Sequence, residues 1–302
     1  MPKSAFIFPG QGAQYVGMGK ELYDSFSIAK ETYEKANEIL GFDVATLCFE
    51  GPYEELTTTK NSQSSILVTS IAALRAFQST AKDIKPSACA GLSLGEYSAL
   101  VAAEALSFED AIRLVRLRGQ FMEESSLENP GKMAAIMGLE VSIVEEIAKE
   151  AGSTVANLNC PAQVVISGTS SAVKRTMELA KTKGAAKCIL LAVSGPFHSS
   201  FMDKAGRKLK EELKKVHFNK PEIPFISNVT ADYEDEVESI KENLALQVNH
   251  RTLWEASIRG MIQGGISEYY EIGPGKVLKG LLRKIDRNLL VRNIETPADI
   301  SV

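Results

Sequence analysis

A serine stands between two glycines in Gly91-Leu92-Ser93-Leu94-Gly95. The spacing is that of G-x-S-x-G, a turn in which a strand breaks sharply into a helix and leaves the serine hydroxyl exposed at the helix N-terminus. The flanking residues suit such a turn: "PSACAG" before it is a short run of small residues, and "EYSALVAAEAL" after it is strongly helical. Ser93 is therefore a candidate nucleophile, and the backbone N–H of Leu94 would point where an oxyanion forms. The plainer alternative is a serine that only caps a helix. If Ser93 does form an ester, something must keep water from hydrolysing it.

A serine nucleophile needs a base, and the chain has three histidines. His217 sits in the charged stretch "EELKKVHFNK", which reads as solvated surface. His250 lies beside Arg251 in "QVNHRTLW" and reads as a core or surface residue. His198, in "SGPFHSS", follows the apolar run "CILLAV", and strand ends commonly deliver site residues in α/β folds. Elimination favours His198. No acidic residue stands out as a third member, which leaves a backbone carbonyl or an amide to fix the imidazole's tautomer.

Two further features bear on chemistry. Three and four residues from Arg118 lie Leu114, Val115, Phe121 and Met122. A guanidinium among four apolar neighbours is costly to bury unless it is paired. Either it snorkels or pairs with an internal acid, or it anchors a substrate carboxylate, for which its planar fork is suited. The second feature is "FPGQGAQYVGMG", which fails the G-x-G-x-x-G test because Tyr15 stands where the third glycine belongs, and it lacks G-K-[ST]. It is either a plain loop or a backbone that approaches a ligand, with the Gln11 N–H as a second oxyanion donor.

These residues need a scaffold. "SAFIF" reads as a buried strand ended by Pro9-Gly10, and helical periodicity runs through Glu21–Leu40 and again from Ser64. Ser107 with Asp110 predicts the N-cap of a helix through "EDAIRLVRLRGQFMEES". Strands alternating with helices predict a mostly parallel sheet covered on both faces. The polar "SSLENPG" reads as a linker, after which the predicted order is β-α-β-β-α-β, the ferredoxin-like arrangement. The chain is accordingly divided into a large α/β domain, 1–123 and 199–302, and an inserted small subdomain, 124–198, with its elements between about Glu124 and Val193.

With 302 residues, 44% hydrophobic and 24% charged, the composition is that of an ordinary soluble protein. A net charge of −4 argues against a general nucleic-acid binder. "MPKSAFIFPG" does not read as a signal peptide, and no apolar run approaches the roughly 18 residues of a membrane span. Cys48, Cys89, Cys160 and Cys188 lack metal-ligand spacing and are expected to pack as small apolar groups. A cytoplasmic monomer without a bound metal is the expectation.

Taken together the motifs resemble the malonyl-CoA:acyl-carrier-protein transacylases, nearly end to end. The similar segments are "FPGQGAQYVGMG", "GLSLGEYSALVAAEAL", "RLRGQFM", "NLNCPAQVVISG", "GPFHSSFM", "QVNHRTLW" and "EIGPGKVLKGL", in that order. The resemblance implies a hydrolase-like α/β domain carrying a ferredoxin-like insertion. It implies Ser93 as the acylated nucleophile, His198 as its base and Arg118 as the holder of the malonyl carboxylate. The N–H groups of Gln11 and Leu94 would form the oxyanion hole, Gln247 would help orient His198, and Gln63 would lie near the pocket. Malonyl-CoA and acyl carrier protein are the implied partners, with the carrier's phosphopantetheine thiol as acceptor and no cofactor. Whether the carrier serves fatty-acid or polyketide synthesis is left open, and a serine hydrolase remains the rival chemistry. The sequence departs from the family at Leu92, where His is usual, which removes a polar group beside the nucleophile.

Overall fold

The run Ser4–Phe8 lies in the middle of a six-stranded sheet, and site residues follow this strand and two strands to one side of it. The computed structural model describes residues 3–300; the outermost residues of the predicted large domain, 1, 2, 301 and 302, lie outside the described residues. The first half comprises β1 (Lys3–Phe8), α1 (Lys20–Ser25), α2 (Ser27–Leu40), α3 (Val44–Glu50), α4 (Tyr53–Leu56), α5 (Thr59–Thr80), β2 (Ala88–Gly91), α6 (Gly95–Ala102) and α7 (Phe108–Glu128). Next come β3 (Lys132–Met137), α8 (Val141–Ala151), β4 (Thr154–Cys160), β5 (Gln163–Gly168), α9 (Ser170–Thr182) and β6 (Lys187–Leu190). The chain then forms α10 (Asp203–Leu213), β7 (Phe225–Ile226), β8 (Tyr233–Glu234), α11 (Val237–Gln247), α12 (Trp254–Gln263), β9 (Ile266–Ile272), α13 (Val277–Ile285) and β10 (Leu290–Ile294).

The large sheet has the order β10-β9-β1-β2-β7-β8 and is parallel except for the β7–β8 pair. Its central strands are buried, as parallel strands covered on both faces must be. Phe6 on β1 packs edge-on against Phe77 and Tyr270, at ring distances of 5.9 and 5.7 Å. The second sheet, β4-β5-β3-β6, is antiparallel throughout and has the β-α-β-β-α-β order expected from the sequence. It is tied to the segment before α12: Leu158 N–H donates to Thr252 O at 2.9 Å, and Thr252 N–H to Ala156 O at 2.8 Å.

Local detail corrects the sequence reading at several points. The periodic stretch Glu21–Leu40 is two helices, because Phe26 is extended (φ −127°). "SSLENPG" is more than half helix: α7 runs to Glu128, and the chain leaves it at Asn129 (φ −129°), as the steric demand of Pro130 requires. The strand read in "AAKCILLAV" is shorter, ending at Leu190. Ser107 caps α7 as expected, its side chain accepting from Asp110 N–H at 3.0 Å. The four cysteines are unpaired, with Cys48, Cys89 and Cys160 buried, and burial pushes the Cys48 thiol up to about 12.

The two glycines around Ser93 are sterically required. A Cβ on Gly91 would sit 1.9 Å from Gly95 C, and one on Gly95 would sit 2.2 Å from Phe8 O. The first contact is with the turn itself, the second with the neighbouring strand. Gly95→Ala is expected to cost at least about 1–3 kcal/mol through overpacking. Gly280→Ala on α13, where a Cβ meets nothing within 4 Å, should gain about 0.5–1 kcal/mol instead. Denaturant unfolding of the two variants checks this, and equal effects would show that the strand–turn approach sets no limit.

Candidate active site

Three segments that leave the carboxyl ends of β1, β2 and β7 converge: Gly10-Gln11, Leu92-Ser93 and Asn228. This is where an open parallel sheet presents ligands. Leu92 N–H donates to Phe8 O at 3.0 Å, which lays the glycine-rich loop beside the turn. Ser93 adopts φ 52°, a left-handed conformation that costs a non-glycine residue on the order of 1–3 kcal/mol. Both of its backbone polar groups are pinned. Its N–H donates to Asn228 Oδ1 at 2.7 Å, and its carbonyl accepts from Gln247 Nε2 at 2.9 Å. Asn228 Nδ2 also donates to Gly91 O at 2.7 Å, so one amide clamps both sides of the turn.

His198 faces Ser93, with Nε2 3.0 Å from Oγ. Its Nδ1 lies 2.7 Å from Gln247 O and 3.2 Å from His250 O. Carbonyl oxygens only accept, so Nδ1 carries the proton and Nε2 presents its lone pair to the serine hydroxyl. Backbone carbonyls therefore take the orienting place left open by the sequence. The Gln247 side chain does not reach the imidazole; its main chain does. Burial, and then the neighbouring Arg118 charge, lower the His198 pKa to about 4, so the ring is neutral at pH 7. The strand-end argument selected the same histidine through a different geometry, because β6 belongs to the small sheet and ends at Leu190. His198 instead sits in a loop at φ 56°, with its N–H on Val248 O at 3.1 Å. His217 and His250 are exposed.

Arg118 is 1% exposed, as its apolar neighbours on α7 implied. Its Nη2 donates to Ser93 Oγ at 3.0 Å and to Gln247 Oε1 at 2.8 Å, and its Nη1 donates to Gln63 Oε1 at 2.6 Å. Among the described residues no acid lies within ion-pair distance of it, and Nε has no hydrogen-bond partner. Gln63 is fully buried on α5, which passes close to α7 at Gly119, where a Cβ would sit 2.6 Å from Lys60 Cα. Gln63 Nε2 also reaches Gln11 Oε1 at 3.4 Å. Leu94 stands at the start of α6, where the backbone N–H groups have no intrahelical acceptor.

A cavity of about 230 Å³ opens over Ser93 and His198. It is lined by Gly10, Gln11 and Leu92, by Met133 and Val165 of the small sheet and by Leu281 of α13. Leu92 adds an apolar side chain to the lining beside the nucleophile. Two buried residues at the site escaped the sequence reading. Asn228 follows a two-residue strand and carries no local motif. Glu96 had a signal, an ionisable residue in the otherwise apolar helix "GEYSALVAA".

The acyl transferase domain model matches residues 5–259. The chain is 47% identical to the malonyl CoA-acyl carrier protein transacylase of Bacillus subtilis (strain 168), covering all of this chain and 96% of the relative. The chain is an acyltransferase of the malonyl CoA-acyl carrier protein transacylase family. A solved acyl carrier protein S-malonyltransferase from Vibrio cholerae superposes with a TM-score of 0.95 at 38% identity, over 99% of this chain and 98% of that one. A type II PKS acyl-carrier protein in complex with its malonyl-transacylase matches as well, with a TM-score of 0.95, 37% identity, and 99% and 97% coverage. The fold expected from the sequence, a mostly parallel α/β domain with a small antiparallel sheet, is that of these acyltransferases.

The depressed His198 pKa has a kinetic consequence. Inactivation of Ser93 by a fluorophosphonate should hold its rate as pH falls below 6.5 and drop only through about 4. In Arg118→Met the acid limb should move up toward 6.5, because one of the two lowering influences is gone. Inactivation rates followed across the acid range test this, and an unmoved limb would mean that the guanidinium does not set the imidazole's pKa.

Proposed function

We propose that this acyltransferase carries the malonyl group from malonyl-CoA to the phosphopantetheine thiol of acyl carrier protein, through a malonyl ester on Ser93. The observation that carries this reading is Arg118: a buried guanidinium on the nucleophile's own hydroxyl, with no acid in ion-pair distance among the described residues. An acyl group ending in a carboxylate supplies the missing counter-charge, and the fork can hold it in two-point contact.

The chemistry follows from the tautomer. Ser93 Oγ–H gives its proton to His198 Nε2 as the oxygen attacks the thioester carbonyl. The N–H groups of Gln11 and Leu94 stabilise the oxyanion, and CoA leaves as the thiol, taking the proton back from the imidazolium. The carrier thiol then repeats the sequence on the ester. The exchange balances with these groups alone, so the reading calls for no metal or cofactor on this chain. Water is held off by position: the carboxylate anchored on Arg118 fixes the ester, and Met122, Met133, Val165, Phe197 and Leu281 make most of the approach apolar.

For the carrier, α13 offers a basic border to the cavity mouth. Leu278, Leu281, Leu282 and Ile285 are buried, while Lys276, Arg283 and Arg287 are exposed and Lys279 is half-buried beside them. Acidic carrier proteins would be steered to such a border, raising encounter rate more than final affinity. Charge reversal of these four residues should flatten the ionic-strength dependence of transfer to the carrier, while self-malonylation by malonyl-CoA stays intact. Identical salt slopes in the two proteins would remove α13 from the docking surface.

Intact-protein mass spectrometry after brief exposure to malonyl-CoA tests the central reading. A malonyl adduct is expected on the wild type and none on Ser93→Ala. Arg118→Ala should cost on the order of 2–5 kcal/mol in kcat/KM for malonyl-CoA, roughly 30-fold to several thousand-fold. Acetyl-CoA should lose far less. A parallel loss for both substrates with a lowered Tm would instead make Arg118 a structural residue.

A further inference from the structure

Glu96 is a buried acid that the acyl transfer just described does not use. It is 1% exposed, in the first turn of α6. One carboxylate oxygen accepts from Asn228 N–H and the other from Gln247 Nε2. These two partners are the same residues that pin the N–H and the carbonyl of Ser93. The Gln247 amide has a second side as well, where its Oε1 accepts from Arg118 Nη2 at 2.8 Å. A single side-chain amide thus stands between a buried carboxylate and the buried guanidinium.

We propose that Glu96 is a positioning residue whose charge is coupled to Arg118 through Gln247: it must be protonated while a substrate carboxylate occupies the guanidinium, so a Glu96 that is ionised in the resting enzyme has to take a proton from solvent on malonyl loading. The proposal rests on the malonyl reading above. With the site empty, an ionised Glu96 is offset by Arg118 through Gln247. A malonyl carboxylate on Arg118 would make two negative charges against one positive in a cavity with little water, which is strongly unfavourable. Protonating Glu96 restores neutrality. Where Glu96 starts ionised, the step consumes one solvent proton on loading and returns it when the malonyl group leaves, and no other bond is made or broken.

The surroundings of Glu96 put this proton within reach. Its two donors favour the ionised form. Asn228 offers a backbone N–H that can only donate, and Gln247 is oriented by Arg118 on its oxygen and by Ser93 O on its nitrogen. Burial opposes them and prevails, pushing the pKa up to about 8 despite the lowering by Arg118 on α7. The other ionisable groups around it are Glu234 on β8, which raises it further, and Tyr97 beside it on α6, whose phenol is held neutral by burial; His198, on the far side of Ser93, is neutral at pH 7 and adds no charge. A second carboxylate on Arg118 masks the lowering charge and adds a like one, so loading drives the pKa upward.

The sign is therefore fixed. Below about 8 the resting Glu96 is protonated or readily becomes so, and malonyl loading is unhindered; above it, loading must extract a proton from solvent. Acetyl-CoA brings no carboxylate and meets no such demand. The ratio of kcat/KM for malonyl-CoA to that for acetyl-CoA cancels the titration of His198 and of the CoA leaving group, and isolates Glu96. In the wild type this ratio should be flat up to about pH 8 and then fall about tenfold per pH unit. In Glu96→Gln it should be flat throughout, with KM for malonyl-CoA unchanged or lower and kcat reduced by a similar factor for both substrates. A pH-flat wild-type ratio overturns the proposal, and so does a limb that persists in Glu96→Gln. A merely structural Glu96 would give that flat wild-type ratio, and its variant would raise KM and slow both substrates alike. The wild-type profile decides the matter even if the variant does not fold. Failure to form any malonyl adduct on the wild type would overturn the malonyl reading, and this proposal with it; an adduct with a pH-flat ratio overturns this proposal alone.

Discussion

A guanidinium held out of water against a serine hydroxyl is the constraint around which this structure is arranged. Desolvating a cation costs several kcal/mol, and among the described residues no acid stands within ion-pair distance of this one. The offset is assembled from neutral acceptors on separate parts of the chain: Gln63 on α5, Gln247 at the end of α11 and Ser93 itself. Each acceptor has to be carried to Arg118 by its own element. That requirement explains the tight approach of α5 to α7 and the position of the α11 terminus directly beneath the nucleophile turn.

The same residues hold strain in place. Ser93 and His198 are both non-glycine residues in left-handed backbone, and neither conformation would persist in isolation. Asn228 and Gln247 pin the first, while Val248 and the carbonyls of Gln247 and His250 hold the second. Gln247 takes part in every one of these arrangements, through its side chain toward Arg118, Ser93 and Glu96 and through its carbonyl toward His198. The nucleophile, the base and the cation are consequently one hydrogen-bonded unit, so displacing any member disturbs the rest.

The two sheets divide the work. The parallel sheet delivers Gln11, Ser93 and Asn228 from its strand ends, and the antiparallel sheet closes the cavity with Met133 and Val165. The paired bonds between β4 and Thr252 fix one sheet relative to the other, next to the segment whose carbonyls orient His198. Wall and chemistry are thereby held in register.

The sequence by itself determined the elements whose signals are local. The elbow glycines, the Ser107 cap, the two sheet classes and the apolar surroundings of Arg118 all arise within a few residues, where sterics and periodicity act directly. It also singled out candidates for chemistry: Ser93 by its motif, Arg118 by its apolar neighbours and His198 by elimination among three histidines. The remainder was decided by tertiary structure, because it depends on contacts between distant segments. Asn228 is 135 residues from Ser93 in sequence. Gln247 meets Glu96 from 151 residues away. An asparagine in a loop or a glutamine near a helix end has no periodicity to betray it, and its partner can be any polar group that folding brings within 3 Å. The same holds for the carbonyls behind His198, since every residue carries one and only the packed chain chooses which.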